Sequence, residues 1–405
     1  MSIMRKRGVF QARRSISALP QCIVMSALIA SALLPGTLSN AQDKVRLEQP
    51  VIVAYVFPQN KLIEPGDIAA RKVTRINYAF ANIRDGRMVN GFEAEDANLA
   101  WLVRLKQDNP ALTVLVSVGG WSWSGNFSDM AHTKASRNVF IDSVNEYLER
   151  NKLDGLDIDW EYPGQAGSTN HFRAEDKQNF TLLLQELRNS FDQQEQKLHR
   201  HLLLTIAAGA STSYLKHTEM EKVQRYVDTV NLMAYDYYEP GEGGVTGHHA
   251  PLFTNQLDPK GISAAKSVTE FEEAGVPAAK IVLGVPFYGH VWGRVGSANH
   301  GLYQPGKAVE STYVQYGDLS KNMLGNGFDR YWDAVAAAPY LYSPSKETFV
   351  SYEDPESLAA KCAYIVQQNL GGVMFWDYAG DPDGVLLDAL DKGLAGSSSA
   401  QADPR

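Results

Sequence analysis

Four acidic residues lie within one short segment, at Asp154, Asp157, Asp159 and Glu161, and the last three alternate with apolar residues. Because alternate side chains of a strand share one face, Asp157, Asp159 and Glu161 are predicted to point in the same direction. Neighbours on that face lie roughly 6.6 Å apart along the strand. Burial of three carboxyl groups so close together disfavours their charged forms, so at least one pKa should rise.

A glutamic acid that keeps its proton near neutral pH can act as a general acid. Glu161 ends the acidic strand and is predicted to stand at the mouth of a barrel, where barrel enzymes carry out their chemistry. Two other interpretations are a calcium site and a buried acid network without catalysis. The segment lacks the glycine and the later glutamate of an EF-hand loop, which disfavours calcium and leaves the acid network open.

The acidic strand alone does not supply a second carboxylate that could act as a nucleophile, which ordinary retaining glycosidases require. Asp159 lies on the same strand as Glu161 and is poorly placed to attack the opposite face of a sugar. The 2-acetamido group of an N-acetylglucosamine substrate could attack instead. Asp159 would then orient the acetamido nitrogen, and a tyrosine hydroxyl from another strand end would hold its oxygen.

Short apolar runs alternate with longer amphipathic segments along the chain. The predicted strands cover residues 51–56, 76–82, 113–118, 155–160, 202–207, 229–235, 281–287 and 372–376. Continuous apolar strands that alternate with helices predict a parallel sheet covered on both faces. Eight such units favour an α/β fold, a closed (β/α)8 TIM barrel over residues 45–393, and a doubly wound open sheet is the alternative.

One interval departs from this alternation, between the seventh and eighth predicted strands. It holds roughly 85 residues where a strand–helix unit needs about 30. A structureless loop of that length is improbable in a compact protein, so we predict a small α+β insertion domain at residues 289–350. The end of the chain, residues 394–405, is rich in small and polar residues and is predicted to be a disordered tail.

The first 41 residues have the pattern of a signal peptide. Basic residues precede an apolar run at residues 22–34, and the small-x-small sequence Ser39-Asn40-Ala41 follows it. The run is shorter than the roughly 20 residues that span a bilayer, and a buried N-terminal helix is the alternative interpretation. We expect a secreted or periplasmic protein, cleaved near Ala41, with no membrane association after cleavage.

Composition limits the class of partner. The chain has 405 residues and a formal net charge of −8, and loss of the first 41 residues would remove only positive charges. Such a surface disfavours nucleic acid and anionic membranes, whereas a neutral polysaccharide is compatible. No metal or cofactor is predicted, because zinc-ligand spacings and phosphate-binding glycine loops are lacking and the pair His248-His249 alone is weak. We expect a monomer, and Cys362 without Cys22 can form no internal disulfide.

The segment LDGLDIDWEYP at residues 153–163 resembles the DxxDxDxE signature of glycoside hydrolase family 18, the chitinase family. Three further segments match the family in order and spacing, SVGGW at 117–121, MAYDYY at 233–238 and GGVMFWDYAGD at 371–381. The resemblance runs from about Val51 to Asp391. It implies a TIM barrel that hydrolyses β-1,4-linked N-acetylglucosamine polymers with retention, through the substrate's own acetamido group.

The resemblance also implies roles for individual residues. Glu161 would be the proton donor, Asp159 would orient the acetamido group, Asp157 would be its buried partner and Tyr235 would bind the acetamido oxygen. The substrate-binding positions would be Tyr55, Phe80, Trp121, Glu161, Tyr162, Met233, Tyr235, Asp236, Tyr288, Arg294 and Trp376. Tyr288 and Arg294 fall where the family has a FYGR-like segment, but the order here is FYGHVWGR, and His290 takes the position where arginine is common. Ser117 is interpreted as a structural hydroxyl beside the acids.

Three functions are compatible with these residues. The first is an active chitinase, and the second is a lectin-like barrel that binds chitin oligomers without cutting them. The third is a hydrolase of other N-acetylglucosamine linkages, for example in glycoproteins or peptidoglycan. Lectin-like relatives usually lack the final glutamate, so the presence of Glu161 favours an enzyme.

Overall fold

Eight parallel strands form a closed barrel in the computed structural model, which describes residues 50–168, 170–241 and 244–399. In chain order the strands are β1 (Val51–Val56), β2 (Arg75–Arg84), β3 (Arg87–Val89), β4 (Thr113–Gly119), β5 (Gly155–Asp159), β6 (Leu203–Gly209), β7 (Thr229–Met233), β8 (Ile281–Pro286), β9 (Tyr288–Gly293), β10 (Lys307–Gln315), β11 (Asp329–Asp333), β12 (Ala338–Ser343), β13 (Thr348–Ser351) and β14 (Gly372–Trp376). The barrel order is β1, β2, β4, β5, β6, β7, β8 and β14. Because β1 pairs with both β2 and β14, the sheet closes, which confirms the (β/α)8 barrel over the open sheet.

Helices surround the barrel and connect its strands. They are α1 (Glu95–Arg104), α2 (Phe127–Ala131), α3 (Lys134–Asn151), α4 (Asp176–Leu198), α5 (Thr212–Lys216), α6 (Met220–Val223), α7 (Ala264–Glu273), α8 (Tyr316–Asn322), α9 (Pro355–Gln368) and α10 (Val385–Ser399). Local sequence sets the ends of several helices. In α9, Asp354 accepts the first free amide hydrogens, Pro355 takes the first position and Asn369 ends the helix in a left-handed conformation.

The predicted alternation along β5 is confirmed. Leu156, Ile158 and Trp160 point away from the lumen into the layer between strands and helices. The ring of Trp160 stacks on Phe127 at 5.1 Å and meets Phe180 edge-on at 5.8 Å. Burial of these apolar side chains fixes the register of β5, so the intervening acids must face the lumen.

A five-stranded antiparallel sheet occupies the interval between β8 and α9, in the order β10-β9-β13-β12-β11. Only Phe287 separates β9 from the barrel strand β8. The sheet has its own apolar cluster, in which the fully buried ring of Trp292 lies 5.6 Å from that of Phe349. The sheet and α8 together cover residues 288–351, close to the interval of the predicted insertion.

The two ends of the chain are predicted to be a signal peptide and a disordered tail. The predicted signal peptide lies outside the described residues. Helix α10 continues to Ser399, so residues 394–399 are helical and the prediction of a disordered tail from 394 is wrong for them. Burial of Leu394 against the apolar core stabilises the helix beyond the predicted boundary. In the part of the chain that the structure describes, no helix is long and apolar enough to cross a membrane.

Candidate active site

The carboxyl ends of the barrel strands surround a cleft of about 900 Å³, and two acids from the end of the acidic strand face that cleft. Asp159 and Glu161 line it, whereas Asp157 lies deeper in the lumen and is fully buried. Gly119 and Gly120, at the end of β4, make room for this strand. Gly119 has φ +108°, and a Cβ there would lie 2.2 Å from the carbonyl oxygen of Asp159, so only glycine fits.

Asp157 is held by side chains from four other strands. Its Oδ2 accepts hydrogen bonds from the hydroxyls of Tyr55 at 2.9 Å and Ser117 at 2.8 Å. Its Oδ1 accepts from Asn231 Nδ2 at 3.1 Å and from Thr205 Oγ1 at 2.5 Å. Burial raises the pKa of Asp157, and the three hydroxyl donors oppose that rise. We call Asp157, Asp159 and Glu161 the acid row. The network therefore fixes Asp157, the innermost member of this row, and supports the structural role predicted for Ser117.

Asp159 and Glu161 form a pair of acids that is shielded from solvent. Burial raises the pKa of Asp159 well above its ordinary value, and the neighbouring charges of Glu161 and Asp157 raise it further. Burial also raises the pKa of Glu161 to about 7. The negative charge of Asp236 raises this pKa as well, whereas a hydrogen bond with Tyr162 lowers it. The Oδ1 atom of Asp159 has no hydrogen-bond partner within the described residues. This pair can therefore store a proton near neutral pH.

The backbone of Glu161 is anchored by Ser124, a residue outside the predicted set. The amide of Glu161 donates to the hydroxyl oxygen of Ser124 at 2.9 Å, and that hydroxyl donates to the carbonyl oxygen of Gly120 at 2.9 Å. Because Ser124 is fully buried, this bridge holds the end of the acidic strand against the loop that follows β4.

Aromatic rings form the floor of the cleft. The ring of Trp376, at the end of β14, stacks on Phe80 with centroids 5.5 Å apart and planes at 18°. Tyr55 and Phe57 lie 6.0 and 5.4 Å from the same ring. At another part of the cleft wall, Trp121 is 54% exposed and meets Tyr162 edge-on at 6.4 Å. Flat apolar surfaces of this kind suit the faces of sugar rings.

Tyr235 and Asp236 follow β7 and line the same cleft. Burial raises the pKa of Tyr235, so its hydroxyl keeps its proton and can donate a hydrogen bond. Asp236 accepts hydrogen bonds from the hydroxyl of Tyr288 at 2.6 Å and from His290 Nε2 at 2.8 Å. Burial opposes ionisation of Asp236, but interactions with His249 and His290 hold its pKa below the usual range. Burial lowers the pKa of His249 to about 4.

The structure brings almost all of the predicted site residues together. Those that line the cleft are Tyr55, Phe80, Trp121, Asp159, Glu161, Tyr162, Met233, Tyr235, Asp236, Tyr288 and Trp376. Asp157 lies beneath them. Arg294 is the exception, because it is exposed just beyond the end of β9 and does not line the cleft.

The placement of Arg294 follows from the course of β9. Tyr288 and His290, at the start of this strand, face the cleft, and Trp292 on the same face enters the core of the antiparallel sheet. Arg294 comes four residues after His290, roughly 13 Å further along an extended strand. Arg294 therefore lies away from the cleft that the other predicted residues line, and His290 occupies the place beside Asp236.

Several buried polar residues that support the site were not predicted. Thr205 is the single polar residue of β6, Asn231 shares the short strand β7 with Thr229, and Arg75 begins β2. Thr205, Asn231 and Arg75 are all buried, and Arg75 donates to Thr229 at 2.9 Å. A polar residue within a mostly apolar barrel strand is a signal that could have identified Thr205 and Asn231.

The fold and the site together define a chitinase-type glycoside hydrolase, a barrel enzyme whose acids stand at the carboxyl end of the strands above an aromatic floor. The model of the family described as "Glycosyl hydrolases family 18" matches residues 51–381. The chain belongs to glycoside hydrolase family 18, which confirms the resemblance seen in the acidic signature.

Known proteins support the same assignment. Chitinase A1 of Niallia circulans is 36% identical over 431 aligned residues, which cover 91% of this chain and 61% of that protein. A family 18 N-acetylglucosaminidase from Paenibacillus barengoltzii is 42% identical, with a TM-score of 0.78 over 85% of this chain and 100% of that one. A class V chitinase from Nicotiana tobaccum, solved in complex with NAG4, is 27% identical, with a TM-score of 0.77 over 86% and 100% of the two chains.

Proposed function

We propose that the protein is a chitinase that hydrolyses β-1,4-linked N-acetylglucosamine polymers with retention of configuration, with Glu161 as general acid and base. One observation carries the proposal. Asp159 and Glu161 line one cleft together with Tyr235 and Trp376, and burial raises the pKa of Glu161 to about 7. The NAG4 bound to the tobacco relative supports an N-acetylglucosamine oligomer as the substrate.

In the first step, a sugar ring lies on Trp376 and Glu161 donates its proton to the glycosidic oxygen. The bond from that oxygen to C1 breaks, and the acetamido oxygen of the same sugar attacks C1 to form an oxazolinium ion. Asp159 accepts a hydrogen bond from the acetamido nitrogen, and its negative charge stabilises the positive charge that develops there. The hydroxyl of Tyr235 donates to the acetamido oxygen and orients it.

In the second step, Glu161 is ionised and accepts a proton from a water molecule that attacks C1. The oxazolinium ring opens, the acetamido group is restored and the product keeps the original configuration at C1. Two inversions at one carbon produce this retention. The hydrogen bonds that fix Asp157 hold the base of the acid row in place, so that Asp159 can turn towards the acetamido group without loss of the network.

A second candidate is an enzyme that removes single N-acetylglucosamine residues from chain ends. It is favoured by the 42% identity to the N-acetylglucosaminidase from Paenibacillus barengoltzii. Both candidates use the same acids and differ only in which sugars the cleft accepts. Digestion of an N-acetylglucosamine hexamer separates them, because an endochitinase releases dimers and trimers early, whereas this alternative releases only monomers. A chitin-binding lectin without activity would release neither product.

The catalytic roles can be tested with Glu161→Gln, which keeps the shape of the side chain and removes the acid. We expect hydrolysis of the hexamer to be lost while binding of the hexamer persists, since the aromatic floor is unchanged. Glu93→Gln is a matched control, because it neutralises an exposed carboxyl outside the cleft. Full activity of Glu161→Gln would refute the role of Glu161, and activity on high-mannose glycans but not on chitin oligomers would refute the substrate.

We also propose that the enzyme is exported and acts as a monomer. The basic and apolar pattern of residues 1–41 supports export. N-terminal sequencing of the protein recovered outside the cytoplasm should begin near Gln42. An intact N-terminus on all of the protein would refute cleavage, and a dimer mass in light scattering would refute the monomer.

A further inference from the structure

Three atoms that commonly bind metals converge at the cleft wall. They are Oδ1 of Asp236, Nε2 of His290 at 2.8 Å from it, and Nδ1 of His249 at 3.6 Å from it. One ligand atom from each of the three residues lies within 4.8 Å of the ligand atoms of the other two. The residues come from separate elements, since Asp236 follows β7, His290 is in β9 and His249 lies in the segment before α7. The fold therefore assembles a group that the sequence pair His248-His249 did not predict.

His249 gives independent support for a ligand at this position. Its side chain is fully buried, and neither ring nitrogen has a hydrogen-bond partner within the described residues. A buried polar group without a hydrogen bond is costly, and a bound ion is one way in which such a group can be satisfied. Its Nδ1 atom faces Asp236, and its ring lies 4.9 Å from that of His290. A ligand bound between these residues would satisfy Nδ1.

His290 has the arrangement expected of a metal-binding histidine. Its Nδ1 atom faces the carbonyl oxygen of Thr312 at 3.3 Å, which leaves Nε2 directed at Asp236. Histidines that bind metals commonly donate their second ring hydrogen to a carbonyl group in this way. A metal ion would take the place of the Nε2 hydrogen that His290 donates to Asp236, and the carbonyl of Thr312 would hold the remaining ring hydrogen on Nδ1.

We propose that Asp236, His249 and His290 form a binding site for a divalent transition metal such as Zn²⁺. Two imidazoles and one carboxylate are a common zinc ligand set, and ligands about 2.1 Å from a tetrahedral zinc lie about 3.4 Å apart. The two measured separations to Asp236, 2.8 and 3.6 Å, lie on either side of that value. Asp236 and His290 line the cleft, so an ion can enter from it and keep an open fourth position.

The site also predicts an effect on turnover. The same Oδ1 atom of Asp236 that faces the histidines accepts the hydrogen bond from Tyr288. A metal ion at this atom would compete with Tyr288 and place positive charge on the wall of the cleft that holds Glu161. We therefore expect Zn²⁺ to inhibit the enzyme rather than activate it. Zn²⁺ binding is measured without substrate, so the result tests the metal site separately from the proposed hydrolysis. Either proposal can be refuted while the other stands.

The test is titration of Zn²⁺ into the full, metal-stripped chain by isothermal calorimetry near pH 7. The wild-type protein should bind one equivalent, and His249→Gln and His290→Gln should each weaken that binding at least about tenfold. His201→Gln is the matched control, because His201 also faces two carboxylates, Glu195 at 2.9 Å and Asp228 at 2.7 Å, but through opposite ring nitrogens that cannot converge on one ion. This variant should bind Zn²⁺ as the wild type does.

A second measurement does not depend on the folding of any variant. Co²⁺ bound by the wild-type chain should give the strong visible absorption of a four-coordinate site, and one equivalent of Zn²⁺ should abolish it. Absence of stoichiometric Zn²⁺ binding by the folded wild type would overturn the proposal. So would unchanged affinity in both histidine variants, an equal loss in His201→Gln, or a Co²⁺ spectrum that matches the hydrated ion.

Discussion

The hydroxyl of Tyr55 donates a hydrogen bond of 2.9 Å to Oδ2 of Asp157, and this contact joins β1 to β5 across the barrel lumen. Asn231 Nδ2 donates both to the hydroxyl oxygen of Tyr55 at 3.0 Å and to Oδ1 of Asp157 at 3.1 Å. Side chains from three strands thus form a closed set of buried contacts. A buried network of this kind fixes the orientation of its members more strongly than separate pairs would.

The first prediction concerns the hydroxyl of Tyr55. Tyr55→Phe removes a donor from Asp157 while the ring that supports Trp376 stays in place. Loss of one partner of a buried polar group should lower the free energy of unfolding by about 1–3 kcal/mol. The turnover number should fall more than the affinity for substrate, because Asp157 positions the acid row and does not touch the sugar. Denaturant unfolding and steady-state kinetics on a chitin oligomer measure the two effects.

Tyr214→Phe is the matched control for this prediction. Tyr214 is also fully buried, but its hydroxyl has no hydrogen-bond partner within the described residues and it does not line the cleft. Its replacement should not lower the free energy of unfolding, since no hydrogen bond is lost, and should leave turnover nearly unchanged. Equal behaviour of the two variants would show that the contact between Tyr55 and Asp157 does not support the acids.

The acid row was predictable from the sequence, because one physical rule decides it. Apolar residues at every second position of 155–160 must be buried against the helices, so Asp157, Asp159 and Glu161 must face the lumen. The strand boundaries were predicted nearly as well, since continuous apolar runs indicate buried strands wherever they occur. The same reasoning placed Trp376 at the end of the last strand.

The partners of these residues could not be predicted in the same way. Thr205 and Asn231 reach Asp157 only because the barrel closes with one particular stagger, and strand stagger leaves no local sequence signal. Arg294 lies away from the cleft because β9 runs away from the barrel, and the direction of β9 depends on tertiary packing of Trp292. The proximity of His249 and His290, which are 41 positions apart, likewise follows from the fold alone.

The second prediction concerns the pH dependence of activity. Glu161 must carry a proton to act as the acid, and burial raises its pKa to about 7. The value of kcat/KM should therefore fall as pH rises through about 7, with a limiting slope of about tenfold per pH unit. The profile can be measured between about pH 5 and about pH 9 with a soluble fluorogenic chitobioside. A constant rate across that range would contradict the role of Glu161.

The third prediction tests whether the charge of Asp236 contributes to that pH profile. The negative charge of Asp236 contributes to the raised pKa of Glu161. Asp236→Asn removes this charge and should move the alkaline limb of the profile to lower pH. The position of the limb is informative even if the variant is slower overall, because a loss of substrate contacts alone lowers the rate equally at every pH. A limb that stays in place, or moves to higher pH, would contradict the prediction.

The fourth prediction concerns stability. The pKa of Glu161 is about 7 in the folded chain and ordinarily 4.5, so the unfolded chain loses this proton first as pH rises. The free energy of unfolding therefore begins to fall near pH 4.5, the ordinary pKa, and the fall is complete above about pH 7, the pKa in the folded chain. The total loss is at most about 3 kcal/mol. Glu161→Gln removes this cost, so the variant should be more stable than the wild type at about pH 8 and similar to it at about pH 4.

Thermal unfolding of both proteins across this range measures the effect. Glu93→Gln, at an exposed position, should follow the wild type throughout. A Glu161→Gln variant that is less stable at high pH would mean that the ionised carboxylate makes stabilising contacts, which would contradict the cost inferred from burial.

The last prediction concerns Trp121, whose ring is 54% exposed on the wall of the cleft. An exposed ring there can contact a sugar beyond the one that reacts, and stacking of this kind contributes about 0.5–1.5 kcal/mol. Trp121→Ala should therefore raise KM for a long chitin oligomer by roughly two- to tenfold, with a smaller change for a short chitobioside. Phe253→Ala is the control, because Phe253 is 42% exposed and lies outside the cleft. An equal rise in KM for both substrates would mean that Trp121 contacts the reacting sugar. The wall at Trp121 would then bind no sugar beyond the reacting one.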